Sequence, residues 1–586
     1  MKTIVILIAL TGVLLICVKW AFLPSFPYRR LPRHQVRYLR IRLRLRLHPG
    51  PGHATATELW LRWGRFAAFR RSSRARPSLS FWRRALGPAS GYSIMAGRAH
   101  YRHGLHLPVE EHAVVQSPPR GGKTGWLASV ILRYPGPVIS TTTKHDMFEL
   151  TSGVRARRGP IHVFNPQLVG NVPSTFWWNP LDGCQEPATA IRRADAFAQS
   201  VSQEGVEDAS FWAAKASDYL RAYFHAAALA DLDLRHVARW VTGSGHTEAE
   251  DILNAHIGTG EQWAAQLAEL RGEANKTAQT IRMTMSRALA FLADPALAIS
   301  VLPAPGLSLD LEAFLHESGT LYLIAETRGE DSPVAPLFAC LASELHYLAG
   351  LTGSRMPGGR LDPPLLMALD EVTQICPVPL PVWMADSAGK GILVVAVCHG
   401  LAQLQARWDK PGAQAIWDTA GIKVILGGVT DADTLDVLSR LCGEVALRTH
   451  SRTRFEDGRR GRTVSYRYVR VLPPELLRTL PEWRALVLRT NLSPAIVRLR
   501  MAWRRWDYRR ASRMAMSAPR QIPIPVAGQP RSIGRGPHSG SQGRNGQDPP
   551  PLPPPFGDDT SPRPRRPWDP PANPEDGPPA AFGDDQ

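Results

Sequence analysis

A glycine-containing stretch at residues 117–124 has the residue types that bind phosphate. An apolar run at 112–116 precedes it, and a helix-like run at 125–133 follows it. In this order of strand, loop and helix, backbone amides point at phosphate oxygens. The first glycine of the common pattern is a serine here, so the short motif alone also fits a chance loop. The predicted nucleotide-binding residues are Ser117, Pro118, Pro119, Arg120, Gly121, Gly122, Lys123 and Thr124.

Within this predicted P-loop, two side chains have separate tasks. The Lys123 ammonium group can reach the outer phosphates of a nucleotide, and the Thr124 hydroxyl can hold Mg²⁺. The predicted cofactors are therefore ATP and Mg²⁺.

Two adjacent carboxylates, Asp370 and Glu371, follow an apolar run at 365–369. A carboxylate at the carboxyl end of a parallel strand lies at the edge of the sheet where ligands bind. Asp370 is therefore predicted to hold the metal and Glu371 to activate the attacking water. Together with Lys123, this pair indicates an ATPase.

The elements that must position these residues form an α/β fold. Continuous apolar runs rich in β-branched residues occur at 392–398 and 423–427, and further candidate strands lie at 137–140, 321–325 and 485–488. Runs buried on both faces and separated by helices are typical of a doubly wound, mostly parallel sheet. Helical spacing of apolar residues between 195 and 297 predicts an all-α insertion between the two halves of the site.

The amino-terminal part of the chain is strongly basic. The formal charge is +19, and residues 1–104 contain 20 Lys and Arg but one acid, Glu58. An apolar run at 4–23 is long enough to cross about 30 Å of hydrocarbon. Eight arginines between residues 29 and 46 mark the cytoplasmic side, and no signal-peptidase pattern follows the run. The sequence predicts a single-pass anchor in the inner (cytoplasmic) membrane, with the body in the cytoplasm.

Residues 40–47 alternate arginine with Ile or Leu, and residues 58–71 mix arginine with Trp, Phe and Leu. Such a basic, aromatic segment fits anionic membrane lipid. DNA phosphate is the alternative partner, and the position beside the anchor favours lipid.

Cysteine and proline usage completes the predicted organisation. The six cysteines lie far apart without a CxxC pair, which indicates buried, reduced thiols. Residues 519–586 contain 19 Pro and 9 Gly, a composition that cannot form a core. The predicted units are a transmembrane anchor (1–24), a basic juxtamembrane region (25–104), motor parts (105–183 and 300–510) around an all-α insertion (184–299), and a disordered tail (511–586).

Several blocks in a fixed order resemble the TraG/TraD-like coupling-protein ATPases of conjugative type IV secretion. The resemblance extends over residues 110–500. Besides the loop at 117–124, it rests on Thr-Thr-Thr-Lys-His-Asp at 141–146, His-Val-Phe-Asn-Pro at 162–166, Trp-Asn-Pro-Leu at 178–181, Leu-Asp-Glu at 369–371, Ala-Gln-Leu at 402–404 and Leu-Pro-Pro-Glu-Leu at 472–476.

The resemblance implies a RecA-like P-loop NTPase that forms membrane-anchored homo-hexamers. Such a coupling protein would bind DNA without sequence preference and pump it, with an attached relaxase or other protein, toward secretion-channel membrane proteins. It would also place His399 where the family has a glutamine that senses the γ-phosphate, and we count His399 among the catalytic residues with Lys123 and Glu371. The arginine that the family has before this strand is absent from residues 387–390.

Two other functions fit the same sequence. One is a membrane recruitment platform that binds nucleotide with little hydrolysis, which the substitutions at 388 and 399 would favour. The other is an FtsK-like or type VII secretion motor, although tandem motor domains and a winged-helix end are not evident.

Overall fold

The computed structural model describes residues 52–510 except 202–208, 244, 257–258, 273–275, 303–307, 328–331 and 455–459. Its strands are β1 (Ser93–Arg98), β2 (Gly104–Pro108), β3 (Ala113–Gln116), β4 (Val138–Thr142), β5 (Ile161–Phe164), β6 (Thr320–Ile324), β7 (Leu365–Leu369), β8 (Ile392–Cys398), β9 (Ile422–Leu426), β10 (Glu444–Arg454), β11 (Arg460–Arg470), β12 (Arg484–Arg489) and β13 (Ala495–Leu499).

Eleven of these strands form one sheet in the order β2-β1-β13-β12-β9-β3-β8-β7-β4-β6-β5. The seven strands from β9 to β5 are all parallel. The four at the other edge pair antiparallel. The predicted mostly parallel α/β sheet is thus confirmed, with an antiparallel extension that the sequence did not indicate. Strands β10 and β11 pair separately as a long antiparallel ribbon.

Helices follow most strands. They are α1 (Ala56–Glu58), α2 (Arg65–Ala75), α3 (Phe81–Leu86), α4 (Lys123–Ile131), α5 (Asp146–Arg155), α6 (Pro187–Gln199), α7 (Ala209–Leu229), α8 (Leu234–Val241), α9 (His246–Asn254), α10 (Thr259–Gly272), α11 (Lys276–Ala288), α12 (Pro295–Ser300), α13 (Leu311–His316), α14 (Ala335–Ser354), α15 (Val372–Ile375), α16 (Leu380–Asp386), α17 (Leu401–Thr419), α18 (Ala432–Leu441) and α19 (Pro474–Arg478).

The chain between β5 and β6 contains α6 to α13. The apolar spacing at 262–297 indicates a further long helix, but the described residues there belong to three helices: α10 ends at Gly272, α11 extends from Lys276 to Ala288, and α12 begins at Pro295.

The sheet is buried on both faces, as its apolar runs require. Along β8, Ile392, Val394, Ala396 and Cys398 belong to one hydrophobic core, and Leu393, Val395 and Val397 belong to the other. The first core also contains the helices between β5 and β6, and the second contains α4. Because side chains alternate along a strand, one apolar run serves both cores.

The described part of the predicted juxtamembrane region, from residue 52, differs from expectation. Strand β1 lies inside its predicted boundary at residue 104, β2 begins at that boundary, and both extend the central sheet. Leu59 and Trp63 are fully buried in the second core. Part of the segment 58–71 therefore packs inside the protein, and only its exposed part is available to lipid. Arg76 also pairs with Asp362, beside β7. The described region from 52 to 104 is therefore an integral part of the fold built around the central sheet.

Other predictions concern residues outside the described part of the chain. The apolar run at 4–23, the arginine block at 29–46 and the tail from 511 are among them. Among the described residues, no helix combines the length and the apolarity that a membrane crossing needs. Cys184, Cys340, Cys376, Cys398 and Cys442 are buried free thiols, as predicted.

Candidate functional site

The predicted site residues follow three adjacent strands that end together. In the parallel register, Gln116 of β3 is aligned with Cys398 of β8, and Leu369 of β7 is aligned with Ala396. The loop at 117–122, the carboxylates at 370–371 and His399 therefore leave the sheet at one edge. This is the edge where ligands bind in open parallel sheets.

The loop that enters α4 requires glycine at two positions. Gly122 has φ +97°, a left-handed conformation that residues with a side chain rarely adopt. A methyl group there would also lie 2.9 Å from Met501 Cε. A methyl group at Gly121 would overlap Ser117 Oγ. The curled loop leaves the first amides of a nine-residue helix facing the site.

Ser117 occupies the position of the usual first glycine without exposing its side chain. It is fully buried, and its hydroxyl donates to the Pro118 carbonyl at 3.1 Å. Its amide donates to the Cys398 carbonyl at 3.1 Å, which joins the loop to β8. The serine therefore stabilises the turn, while Pro119 and Arg120 are exposed.

Lys123 lies among the acidic residues of the site. Its ammonium group pairs with Glu371 and lies 3.6 Å from Asp370 Oδ1, and 12% of its side chain is exposed. Thr124 follows it on the first turn of α4 and is half-buried. The structure thus brings together the lysine and the two carboxylates that the sequence places 247 and 248 residues apart.

Asp370 has an electrostatic reason to bind a cation. It is 4% exposed, and its Oδ1 has no hydrogen-bond partner. Burial raises its pKa to about 6, although the charge of Lys123 opposes that shift. A buried carboxylate oxygen without a partner is costly. Asp370 and the Thr124 hydroxyl are the hard oxygen donors that Mg²⁺ prefers, so these residues fit the predicted metal.

Glu371 is held in an unusual backbone conformation at the start of α15. Its φ of 51° and ψ of 43° are left-handed, which costs a non-glycine residue about 1–3 kcal/mol. Burial raises the pKa of Glu371, but the hydrogen bond with His399 and the charge of Lys123 outweigh burial, so the net pKa lies below its usual range. Glu371 is therefore ionised and able to accept a proton.

His399 contacts both Glu371 and Lys123. Its Nε2 lies 3.0 Å from Glu371 Oε1 and 3.4 Å from Lys123 Nζ, and its Nδ1 lies 3.0 Å from the Ser117 carbonyl. A carbonyl oxygen can only accept, so Nδ1 carries a hydrogen. Nε2 can donate to Glu371 only in the imidazolium. The hydrogen bond with Glu371 accordingly raises the pKa of His399, although burial opposes the shift.

Sequence reasoning missed the residues that pack on the outside of the loop. Trp483 and Met501 cover Gly122, and a side chain at Gly125 would overlap Trp503. Arg504 stacks over the Trp483 ring at 4.1 Å. These residues lie about 360 positions after the loop, near β12 and β13, and no local pattern relates them to it.

Lys390 is the basic residue of the segment 387–390, where the family has an arginine, but it does not reach the site of its own chain. It precedes β8, whose opposite end carries His399, and it pairs with Asp386. At about 3.3 Å per residue, the length of β8 separates it from the nucleotide edge.

Comparison with known proteins gives one family match and several structural matches. A family model described as the TraM recognition site of TraD and TraG matches residues 364–482. This segment includes Asp370, Glu371 and His399, and the match confirms the resemblance to TraG/TraD-like proteins. A search of curated proteins found no match.

Among solved structures, the bacterial conjugative coupling protein TrwBdeltaN70 in its unbound monoclinic form superimposes with a TM-score of 0.52 at 18% identity. The alignment covers 71% of this chain and 91% of that one. TrwB in complex with the ATP analogue ADPNP aligns with a TM-score of 0.48 at 19% identity, over 70% of this chain and 89% of that one. The first comparison shows that the two proteins share a fold.

Proposed function

We propose that this chain is an ATP-driven coupling protein that moves DNA, with attached protein, toward a type IV secretion channel. The single observation that carries the proposal is the convergence of Lys123, Asp370, Glu371 and His399 at one sheet edge beside the loop. The shared fold with a conjugative coupling protein and the TraD/TraG match support the assignment of this site to conjugation.

The residues present define a sequence of tasks. Asp370 and Thr124 would hold Mg²⁺, which supplies positive charge against the phosphates of ATP when it is bound. Lys123 would exchange its contact with Glu371 for the phosphates, since both are oxyanions competing for one ammonium group. Glu371, released from Lys123, would orient and deprotonate the attacking water. His399 would remain hydrogen-bonded between Glu371 and the Ser117 carbonyl, and its protonation state would depend on the charge of Glu371.

The assembly and location belong to the same proposal. The chain would be anchored by residues 4–23 in the cytoplasmic membrane, with the motor in the cytoplasm and six copies in a ring. The segment 364–482 would contact a DNA-processing partner, as its likeness to the TraM recognition site suggests. The absence of an arginine near 387–390 requires any charged finger to come from elsewhere in the assembly.

Hydrolysis by the full chain in detergent tests the enzymatic part. We expect Glu371→Gln to lower turnover by roughly 10²–10⁴-fold while keeping affinity for a fluorescent ATP analogue, because a general base is lost but the site keeps its shape. Lys123→Ala should weaken binding itself. Glu269→Gln, an exposed acid on α10, is the matched control. Turnover by Glu371→Gln equal to that of wild type would exclude the mechanism.

A further inference from the structure

The amino-terminal helices expose a cluster of large apolar side chains. Leu61 and Phe66 are 41% and 45% exposed, and Trp82 and Leu86 are 70% and 79% exposed. Trp60 and Phe81 are also more than half exposed. We call these six residues the aromatic face. Trp60 and Leu61 lie in the same turn as Leu59 and Trp63, which are fully buried in the core, so this part of the face has a fixed position on the motor.

Ring contacts and hydrogen bonds join the segments that carry these residues. The Trp60 and Phe66 rings stack at 5.8 Å, and Phe69 of α2 meets Phe81 of α3 edge-on at 5.8 Å. Arg65 Nη2 donates to the carbonyls of Ala85 at 3.2 Å and Gly87 at 2.8 Å. These bonds hold α3 against the start of α2. The face is therefore a built surface, not a set of unrelated exposed side chains.

The charge around the aromatic face has one sign. Residues 52–92 contain eight arginines and one acid, Glu58. Glu58 is already engaged, since its Oε1 accepts a hydrogen bond from the Ser493 amide at 2.9 Å. The exposed arginines are Arg62, Arg65, Arg70, Arg71, Arg74 and Arg83. Such a surface attracts anions and repels a second copy of itself.

An apolar groove of about 610 Å³ continues the face beside α3. Its lining includes Leu79, Trp82, Leu86, Pro88 and Tyr92, together with Arg83 and with Arg76, which pairs with Asp362. These mostly aliphatic and aromatic walls fit hydrocarbon better than a phosphodiester backbone, and the exposed Arg83 suits an anionic headgroup at the edge of the groove. Exposed Trp and Phe surrounded by arginine are typical of segments that lie in the membrane interface.

We propose that the aromatic face lies on a bilayer rich in anionic phospholipid, as a peripheral contact additional to the anchor at 4–23. The arginines would contact lipid headgroups, and Trp82, Leu86 and the groove would take the acyl region just below them. The contact would orient the motor relative to the membrane independently of ATP hydrolysis. This proposal depends on the membrane location given under the proposed function, but it does not depend on any step of ATP hydrolysis.

A probe on the face tests this contact in the full chain. Trp82→Cys, in a chain that also carries Cys17→Ser, is labelled with an environment-sensitive fluorophore; the other five cysteines are buried. The protein is placed in nanodiscs of phosphatidylcholine alone or with phosphatidylserine. We expect a blue-shifted emission and loss of most acrylamide quenching only with phosphatidylserine. The same label at Val382, which is 64% exposed on α16, is the control and should remain accessible in both lipids.

A charge variant separates lipid binding from other causes. In the labelled chain, Arg70→Gln, Arg74→Gln and Arg83→Gln together should weaken the preference for anionic over neutral lipid roughly 100-fold. Each arginine near an anionic surface contributes a similar share of the electrostatic attraction, so three losses multiply. Retained binding of a fluorescent ATP analogue shows that this variant is folded.

Three results would overturn the proposal. They are a probe at 82 that stays water-accessible in both lipids, shielding that depends on protein concentration with neutral lipid, and shielding that requires added DNA. If the chain fails to enter nanodiscs, the anchor is wrong. The labelled protein is then titrated with phosphatidylserine vesicles: shielding of the probe at 82 supports the face, and a probe that stays water-accessible overturns it.

Discussion

His399 links the acid–base state of the site to the residue that would activate water. Its pKa is raised by the hydrogen bond with Glu371, so the imidazolium persists toward neutral pH. While charged, it engages the Glu371 carboxylate and makes it a weaker base. As pH rises through the His399 pKa, this partner loses its charge. Turnover of the wild type should therefore increase between about pH 6 and 8.

The variant His399→Gln tests this coupling, because glutamine donates a hydrogen bond but does not titrate. We expect it to retain hydrolysis with a flatter pH profile, measured as ATP turnover by the full chain in detergent. Identical profiles for wild type and His399→Gln, with His399→Ala as active as either, would assign the histidine a purely structural contact with the loop.

Single residues differed in how well the sequence located them. Lys123, Asp370 and Glu371 were predictable because each follows a recognisable apolar strand whose end must meet the same sheet edge. The burial of Ser117 and the cover of Trp483 over Gly122 were not predictable. Both depend on how distant segments pack, and the local sequence contains no signal for packing.

At the scale of elements, the π-helical turn Leu59–Trp63 shows how one segment serves two environments. Trp63 is fully buried, whereas Trp60 is 56% exposed. We expect Trp63→Ala to destabilise the protein by roughly 3–5 kcal/mol, as loss of a large core side chain does. Trp60→Ala, the matched control, should change stability by less than about 0.5 kcal/mol. Thermal unfolding of the full chain in detergent compares them.

Equal unfolding temperatures for the two tryptophan variants would mean that residues 52–63 do not contribute to the second hydrophobic core. A large fall in nucleotide binding by Trp63→Ala at a temperature where it is still folded would instead show that the segment also shapes the site.

Elements with uniform apolar composition were predicted best. Strands β7 and β8 have the bounds that their sequences indicate, because a strand buried on both faces is apolar throughout. Strands β1 and β2 were missed, since Arg98, His106 and two glycines interrupt their patterns. The antiparallel edge was missed because pairing direction depends on the chain path and not on local composition.

For the whole molecule, the uneven charge determines how DNA binding should respond to salt. Residues 105–586 are neutral overall, so strong binding requires either the basic amino-terminal region or a ring that concentrates local positive charge. A protein that makes several phosphate contacts loses roughly 10³–10⁵-fold in affinity between about 50 and 200 mM salt. We expect a loss of this order for the full chain, equal for two unrelated oligonucleotide sequences, in fluorescence anisotropy titrations. Salt-insensitive or sequence-selective binding would contradict it.

Three histidines, His106, His112 and His346, should make the stability of the folded protein sensitive to acid. Burial lowers the pKa of His106 and of His112 to about 4 and that of His346 to about 3. The His112 Nδ1 accepts the Val394 amide at 3.1 Å, so a proton on that nitrogen would break a contact with β8. His346 stacks on Trp383 at 4.2 Å, and its Nε2 lies 2.6 Å from Ser387 Oγ. All three are therefore neutral in the folded protein at neutral pH.

These three histidines should consequently make the folded protein less stable as the pH decreases from neutral, whereas the raised pKa of Asp370 acts in the opposite direction. Below about pH 6.5 these histidines bind protons in the unfolded chain but not in the folded protein. Their contribution to the free energy of unfolding therefore falls as pH decreases from about 6.5 to about 4. His112, which is 3% exposed, contributes up to roughly 3 kcal/mol to that loss. Unfolding temperatures measured at several pH values should fall less steeply for His112→Asn than for wild type. His256→Asn, at an exposed position after α9, should follow the wild-type slope, and equal slopes for all three proteins would refute the role of His112.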